Sequence, residues 1–390
     1  MVGRSYKRSN STVRWTCAIV FVAFAFFWLF DFQADVLAAV QHVMSGGRTS
    51  YNPLLGAVII TVLLQLLQLL VYTFFRLTNR GHAVTYFPSM FMLALISAVN
   101  TDLSQSYAWG FRWILILLVL ATWVGVCLVI RYIQNVEPDK DKKVFLSRPM
   151  WINMLVMVLM MMGVAWVGNT NAVFHYRMRA ETCLLQGDYE GALNAGRESL
   201  ESDANLQMIR MYAMAHRDEL GERIFHYPIV GNSSVMLPTN GTSHFVRYPV
   251  DSLYHAFGAR PARPMQPITY LNLITGNPKL SNLSSLTRDY ILCGLLIDRS
   301  LDGFVERLRD YTTGGDSLEI DRLPLHYREA LTLYNHLRRH PILTYCNPVM
   351  EENYRNFREL ESKYPNASER RGKVEDWYGH TYWYYYNYGD

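Results

Sequence analysis

Residues 54–75 read LLGAVIITVLLQLLQLLVYTFF, a run of mostly apolar side chains without a charged residue. A helix rises about 1.5 Å per residue, so a run of this length spans the roughly 30 Å hydrocarbon core of a bilayer. Gln65 and Gln68 are three residues apart and therefore lie on one face of that helix. The stretch predicts a membrane-spanning helix whose two amide side chains hydrogen-bond a neighbouring helix. A substrate path lined by these amides is the alternative.

Long apolar runs of this kind are confined to the first 170 residues. The third is short and contains Pro88, which a membrane helix tolerates where neighbouring groups satisfy the freed carbonyl. We predict five membrane-spanning helices, at residues 15–30, 54–75, 83–99, 110–130 and 149–168.

Positive charge alternates along this region in a way that supports all five spans. The basic residues cluster before the first span, after the second and after the fourth: Arg4, Lys7, Arg8 and Arg14; Arg76 and Arg80; Arg131, Lys140, Lys142, Lys143 and Arg148. Arg48 is the only lysine or arginine in the loops that follow the first and third predicted spans. Because positive residues in short loops remain in the cytoplasm, we predict a cytoplasmic N-terminus and a C-terminal domain outside the cytoplasm. A bacterial inner membrane with a periplasmic domain fits this topology.

The composition agrees with a membrane protein. Hydrophobic residues make up 50% of the 390-residue chain and charged residues only 18%, an apolar share above that of a soluble enzyme of this size. The net charge of +4 is small and the basic residues flank membrane segments, so the expected partner is the lipid bilayer and not nucleic acid. Cys17 and Cys127 fall in predicted spans, and the remaining three cysteines are too few and odd in number for a complete disulfide framework.

The C-terminal region opens with two amphipathic helices. From His175 the sequence reads HYRMRAETCLLQGDYEGALNAGRESLESDAN, with Gly187 and Asp188 at the break between the helices. This stretch resembles a tetratricopeptide (TPR) repeat, in which Gly187, Asp188, Tyr189 and Ala192 match the turn. Gly196 departs from the pattern, since an aromatic residue is usual at that position.

A single repeat cannot bury its apolar face alone, so further helices must pack beside it. Helical patterns recur later in the chain, but residues 226–285 are rich in Pro, Gly, Ser and Asn and predict a loop-rich insertion. We therefore expect an all-α protein with two parts. Residues 1–170 form the multi-pass transmembrane region, and residues 171–390 form an irregular TPR-like α-solenoid outside the cytoplasm.

Three segments resemble an uncharacterised family of Bacteroidetes multi-pass membrane proteins with a TPR-like C-terminal domain. The segments are QADVLAAVQHVMSGG from Gln33, LPLHYREALTLY from Leu323 and TYWYYY from Thr381. The resemblance implies a location in the cell envelope. It implies no activity and no site residues.

An aromatic tail occupies residues 377–388. Its members are Trp377, Tyr378, Tyr382, Trp383, Tyr384, Tyr385, Tyr386 and Tyr388. An unbroken aromatic run has high β-propensity and no helical period, so the tail is expected to be extended. Rings at this density must be buried on the protein's own helices, at the membrane interface or on a partner, which makes the tail a possible binding segment.

Candidate chemistry is sparse. Asp31 and Asp35 follow the first span on its outer side, where glycosyltransferases that use lipid-phosphate sugar donors place acidic residues as a general base or metal ligand. An interfacial structural role is the simpler interpretation. His336 and His340 have a spacing that can chelate zinc, but Arg338 and Arg339 stand between them. No cofactor or metal site is expected.

These observations favour a non-enzymatic scaffold. In this hypothesis a membrane anchor presents a helical-repeat domain that binds another envelope protein or a peptide. The alternatives are a membrane glycosyltransferase-like enzyme that uses Asp31 or Asp35, and a transporter component that uses Gln65 and Gln68.

Overall fold

The computed structural model describes residues 11–77, 81–100, 112–136, 148–276, 285–313 and 322–389. The regular structure of these residues is entirely helical, as predicted. The chain divides into two compact units, Met1–Asn171 and Ala172–Asp390. Several residues on which the topology prediction depends lie outside the described ranges, namely Arg4, Lys7, Arg8, Arg80, Lys140, Lys142 and Lys143.

The first unit contains long apolar helices. In chain order its helices are α1 (Ser11–Phe27), a π-helical turn (Trp28–Phe32), α2 (Ala34–Ser45), α3 (Pro53–Phe75), a 3-10 helix (His82–Tyr86), α4 (Phe87–Ser97), α5 (Arg112–Val136) and α6 (Arg148–Val167). Among the described residues, four stretches are long and apolar enough to cross a membrane: Thr12–Phe32, Pro53–Phe75, Trp113–Gln134 and Arg148–Val167. They coincide with four of the five predicted spans.

The remaining predicted span, 83–99, corresponds to a shorter apolar stretch, His82–Ser97, here called the 82–97 segment. At its start, the main-chain N–H of Ala83 donates to Asn153 Oδ1 at 2.7 Å, near the first residues of α6. At its end, the main-chain oxygen of Ser97 accepts a 2.8 Å hydrogen bond from the main-chain N–H of Asn169, which lies just after α6. The 82–97 segment therefore runs parallel to α6 along the same length of the unit.

The two ends of this unit differ in chemistry. At one end Arg14 lies over the Tyr72 ring at 4.8 Å, and Tyr72 packs edge-on against His82 at 5.1 Å between ring centroids. At the other end Trp28 Nε1 donates to Ser97 Oγ at 2.7 Å. Arg14, Arg76 and Arg148 begin or end their helices at the first of these ends, which we call the basic end.

The second unit is a helical domain with one large apolar core. Its α-helices are α7 (Ala172–Leu185), α8 (Tyr189–Asn194), α9 (Ala204–Ala215), α10 (Leu220–Arg223), α11 (Val250–Phe257), α12 (Pro267–Thr275), α13 (Ser285–Ile297), α14 (Leu301–Thr313), α15 (Leu325–Leu337), α16 (Pro348–Lys363), α17 (Ala367–Tyr378) and α18 (Tyr382–Tyr388). Two 3-10 turns, Ile224–His226 and Ser233–Val235, lie among them.

Helices α7 and α8 form the hairpin expected around Gly187. This glycine has a φ of 73°, and Asp188 Oδ1 accepts a 2.8 Å hydrogen bond from the Gly191 N–H at the start of α8. Helix α8 is only six residues long, because Ala195 caps its C-terminal end and Gly196, with a φ of 64°, then turns the chain away. A Cβ at Gly196 would lie 2.4 Å from the Tyr176 ring. The residue that departs from the TPR pattern is therefore the one that shortens this hairpin.

Residues 226–285 contain α11, α12 and long irregular stretches, and buried side chains hold them to the helices. The carboxylate of Glu181 is fully buried and accepts main-chain N–H bonds from Val246, Arg247 and Tyr248. Asp298 accepts bonds from the N–H and hydroxyl of Ser233, at 2.9 and 2.6 Å. The predicted loop-rich insertion is thus anchored by carboxylates on α7 and just after α13.

The aromatic tail is helical, so the prediction that it is extended is wrong. Thr381 Oγ1 caps helix α18 by accepting a 3.2 Å bond from the Tyr384 N–H. Tyr382, Trp383, Tyr384 and Tyr385 are buried, and Trp383 packs against Tyr354 and Phe357 of α16. Packing on neighbouring helices overrides the intrinsic β-propensity of the aromatic run. Trp377 and Tyr378 belong instead to α17, and Trp377 is 78% exposed.

Candidate functional sites

A cavity of about 720 Å³ lies in the first unit between α1, α3 and the His82–Tyr86 helix. We call it the α1–α3 cavity. Its polar wall is formed by Arg14, Gln65, Gln68, Tyr72, His82 and Tyr86, and its apolar wall by Trp15, Ala18, Ile19, Val22, Ala23 and Leu69. The volume falls in the range typical of small-molecule sites.

Hydrogen bonds connect α3 to the floor of this cavity. Gln65 Nε2 donates to Gln68 Oε1 at 2.9 Å, and Gln68 Nε2 donates to Thr85 Oγ1 at 2.9 Å. The Thr85 hydroxyl in turn donates to the His82 main-chain oxygen at 2.7 Å. Gln68 is 1% exposed, and its bond to Thr85 is the hydrogen bond to a neighbouring helix that the sequence predicted.

Part of the polar wall has no protein partner. Within the described residues, Gln65 Oε1 and His82 Nδ1 are buried and make no hydrogen bond. The Arg14 guanidinium stacks on Tyr72 but forms no ion pair with a described carboxylate. The cavity therefore combines an uncompensated positive charge with an extensive apolar wall.

The structure does not bring Asp31 and Asp35 into this cavity. Asp31 is exposed within the π-helical turn, and Asp35 is half-buried in the first turn of α2. No cluster of three or more histidine, cysteine, aspartate or glutamate side chains suited to a metal ion occurs in the described parts of the chain.

A second cavity, about 490 Å³, lies in the helical domain between α15, α16 and the end of α18. We call it the α15–α16 groove. Its lining residues are Leu333, His336, Leu337, Glu351, Tyr354, Arg355, Arg358 and Asn387. Leu337 lines the cavity and is 45% exposed, so the α15–α16 groove has an apolar flank.

Positive charge predominates in the α15–α16 groove. His336 Nε2 contacts Glu351 Oε2 at 2.7 Å, and Arg358 pairs with Glu361 at 2.6 Å. Arg355 has no carboxylate partner among the described residues. Helix α15 ends at Leu337, so His336 and His340 do not share a helix face.

Three histidines that no sequence pattern indicated form a cluster beside the start of helix α18. His226 lies 5.9 Å from His326 and 5.1 Å from His380 between ring centroids. Burial, followed by repulsion from the two neighbouring imidazoles, lowers the pKa of His226 to about 4. His326 Nδ1 is 2.9 Å from Glu329 Oε2. No local pattern could have revealed this cluster, since its members come from three distant parts of the chain.

Part of the helical domain matches a known protein family. Residues 279–389 match the model of a family of unknown function, DUF6057. Neither a curated protein nor a solved structure matches the chain. The matching region contains α13 to α18, and with them the α15–α16 groove and the buried tail, but the family has no described activity to carry over.

Proposed function

We propose that this protein crosses a bacterial inner membrane five times and that its helical domain, outside the cytoplasm, binds an acidic peptide segment of another envelope protein. The observation on which the proposal depends is the α15–α16 groove, with its unpaired Arg355 and its exposed apolar flank. The domain acts in this proposal as a scaffold. Its α7–α8 hairpin is the part most similar to a TPR unit.

The direction of the helices supports five crossings. The 82–97 segment runs beside α6 from the basic end to the end at Trp28, and its 3-10 and α-helical turns together reach roughly 26 Å. Helix α5 approaches Gly81 through Ile130, so it returns toward the basic end. With basic residues in the cytoplasm, α6 ends on the opposite side, where the chain continues into the helical domain.

The chemistry of the groove supports an acidic peptide. A free arginine at its edge attracts a carboxylate, and bidentate pairing with Arg is favoured where carboxylates are recognised. Leu337 lines the groove and is 45% exposed, so an apolar side chain of the same peptide can be buried beside the charge. Tyr354 gives the groove an aromatic wall, and such residues frequently anchor protein interfaces.

Site-specific photo-crosslinking in cells that express the full chain tests this function. A photoreactive amino acid at Leu337, which lines the groove and is exposed, is expected to yield an adduct of defined mass with one envelope protein, through an acidic segment. The same label at Leu200, which is 85% exposed, should give no such adduct. The Arg355→Glu variant should lose the adduct, whereas Lys363→Glu, an exposed cation on the same helix, should retain it.

The proposal fails if Leu337 yields no adduct above the Leu200 background, or if Arg355→Glu and Lys363→Glu reduce the yield equally. An adduct with a basic or uncharged segment that persists in Arg355→Glu also contradicts the proposed charge recognition.

A further inference from the structure

We propose that the α1–α3 cavity is a binding site for one anionic phospholipid of the leaflet at the basic end. The phosphate would lie at the Arg14 guanidinium, and one acyl chain would lie along the apolar wall between α1 and α3. This inference requires the membrane placement given under the proposed function, but it does not depend on the peptide groove.

The apolar wall opens toward the hydrocarbon. Trp15 is 68% exposed, Ile19 64% and Leu69 41%, and all three border the cavity. In a bilayer these side chains face lipid, so an acyl chain can enter from the side without crossing a polar barrier. Small residues at Ala18 and Ala23 keep the groove between the two helices open.

The polar end selects for negative charge. Arg14 has no carboxylate partner among the described residues and is held in position over the Tyr72 ring. A phosphate supplies the missing counter-ion, and arginine is well suited to bind it. Because Arg14 begins the first apolar helix, it lies at headgroup depth when that helix crosses the membrane.

A second observation points to a bound polar molecule. His82 lines the cavity and is 2% exposed, yet its Nδ1 has no hydrogen-bond partner within the described structure. Gln65 Oε1, in the same polar wall, is also buried without a hydrogen-bond partner there. Buried polar groups are expensive to leave unpaired, and the ester and hydroxyl groups of a phospholipid can satisfy both kinds of atom.

Lipid titration of the purified full chain tests the site. The chain in neutral detergent is titrated with phosphatidylglycerol or phosphatidylcholine, and bound lipid is counted by native mass spectrometry. We expect one phosphatidylglycerol to bind before any phosphatidylcholine. Arg14→Gln should weaken phosphatidylglycerol binding roughly fivefold, the effect of losing one cation near an anionic surface. Arg14→Lys should restore most of the binding.

Two further variants distinguish loss of the site from misfolding and from nonspecific electrostatic attraction of lipid. Arg148→Gln removes an exposed cation near the same end, outside the cavity, and should leave binding unchanged. Ala18→Phe fills the groove and should exclude the lipid while the protein still elutes as one species. Equal binding of the two lipids, or equal losses in Arg14→Gln and Arg148→Gln, would overturn the site. A normal Leu337 adduct alongside these results would show that only the lipid proposal had failed.

Discussion

The indole nitrogen of Trp383 donates a 2.8 Å hydrogen bond to the main-chain oxygen of Glu329, on helix α15. The carboxylate of the same glutamate accepts the main-chain N–H of Tyr382 at 2.8 Å. Helix α18 is thus fastened at two successive residues to one position of α15, while the Trp383 ring packs against α16. The tail is a structural part of the domain core.

Replacing Trp383 by Ala should therefore lower the stability of the domain by roughly 3–5 kcal/mol, the usual cost of removing a buried aromatic side chain. For a unit of this size the melting temperature falls by about 10 °C. Thermal unfolding of the full chain, followed by circular dichroism, measures the change. Deleting residues 374–390 should lower the melting temperature at least as far.

Trp377 provides the matched control, because it is 78% exposed on the adjacent helix. Trp377→Ala should change the stability by no more than about 0.5 kcal/mol. If the truncated protein melts unchanged but loses lipid or a co-purifying protein, the tail is an adhesive surface instead.

Glu181→Ala should destabilise the helical domain by roughly 3–5 kcal/mol, because three buried main-chain N–H groups and the nearby Arg177 lose their acceptor. Residues 226–285 should become sensitive to limited proteolysis before the rest of the domain. Glu198→Ala, at an exposed position, should leave both properties unchanged. Uniform protection of this region in Glu181→Ala would contradict the anchoring role.

The stability of the domain should depend on pH through Asp289. Burial raises the pKa of this carboxyl to about 6, although Tyr327 Oη donates a 2.9 Å bond to it. Folding therefore favours the protonated form. The stabilising contribution is fully present below the unfolded pKa near 3.8 and is lost as the pH rises through 6.

The difference in unfolding free energy between the wild type and Asp289→Asn should accordingly fall by about 2–3 kcal/mol from pH 4 to pH 7. Parallel thermal unfolding of both proteins across this range measures it. The pKa of His226 is lowered by folding, so its contribution to the unfolding free energy rises with pH in the same range. Because both proteins contain His226, this contribution cancels in the difference between them. A constant difference between the two proteins would contradict the raised pKa of Asp289.

Reporter fusions test the topology. A fusion after Asp390 should behave as extracytoplasmic and a fusion after Lys143 as cytoplasmic, because basic residues retain their loops in the cytoplasm. Alkaline phosphatase, active only outside the cytoplasm, and a fluorescent protein that matures inside give complementary signals. A cytoplasmic signal after Asp390 would leave four crossings and exclude the 82–97 segment as a span.

Asp31→Asn combined with Asp35→Asn should leave the amount of membrane protein and the Leu337 adduct unchanged, if these carboxylates have no catalytic role. Immunoblotting of membranes and the crosslinking assay measure both. A growth or envelope defect in cells that contain normal amounts of this variant would favour the glycosyltransferase-like alternative.

The features visible in the sequence are those set by local composition. The uninterrupted apolar run at residues 54–75 and the Gly187–Asp188 turn each depend on a few consecutive residues, and each appears in the structure as predicted. The length of the helix in the 82–97 segment was harder to predict, because the segment begins with a 3-10 helix in which the Ala83 N–H donates to Asn153, a residue of a distant helix.

The aromatic tail shows most clearly what local sequence patterns cannot predict. Its aromatic run favours a strand locally, but the Thr381 cap and the surface of α15 and α16 impose a helix. The α15–α16 groove and the histidine cluster likewise require knowledge of which helices become neighbours. Sequence patterns indicate the elements, whereas these sites arise from contacts between residues that are far apart in the chain.

The position of Tyr382–Tyr388 has a consequence for biosynthesis. Residues 325–363 leave the ribosome first, and the apolar faces of α15 and α16 are then without the Trp383 ring that covers them. This half of the domain completes its core only after the tail has followed, so its folding is delayed relative to helices with local partners. Until then its uncovered aromatic surface is accessible to chaperones and proteases.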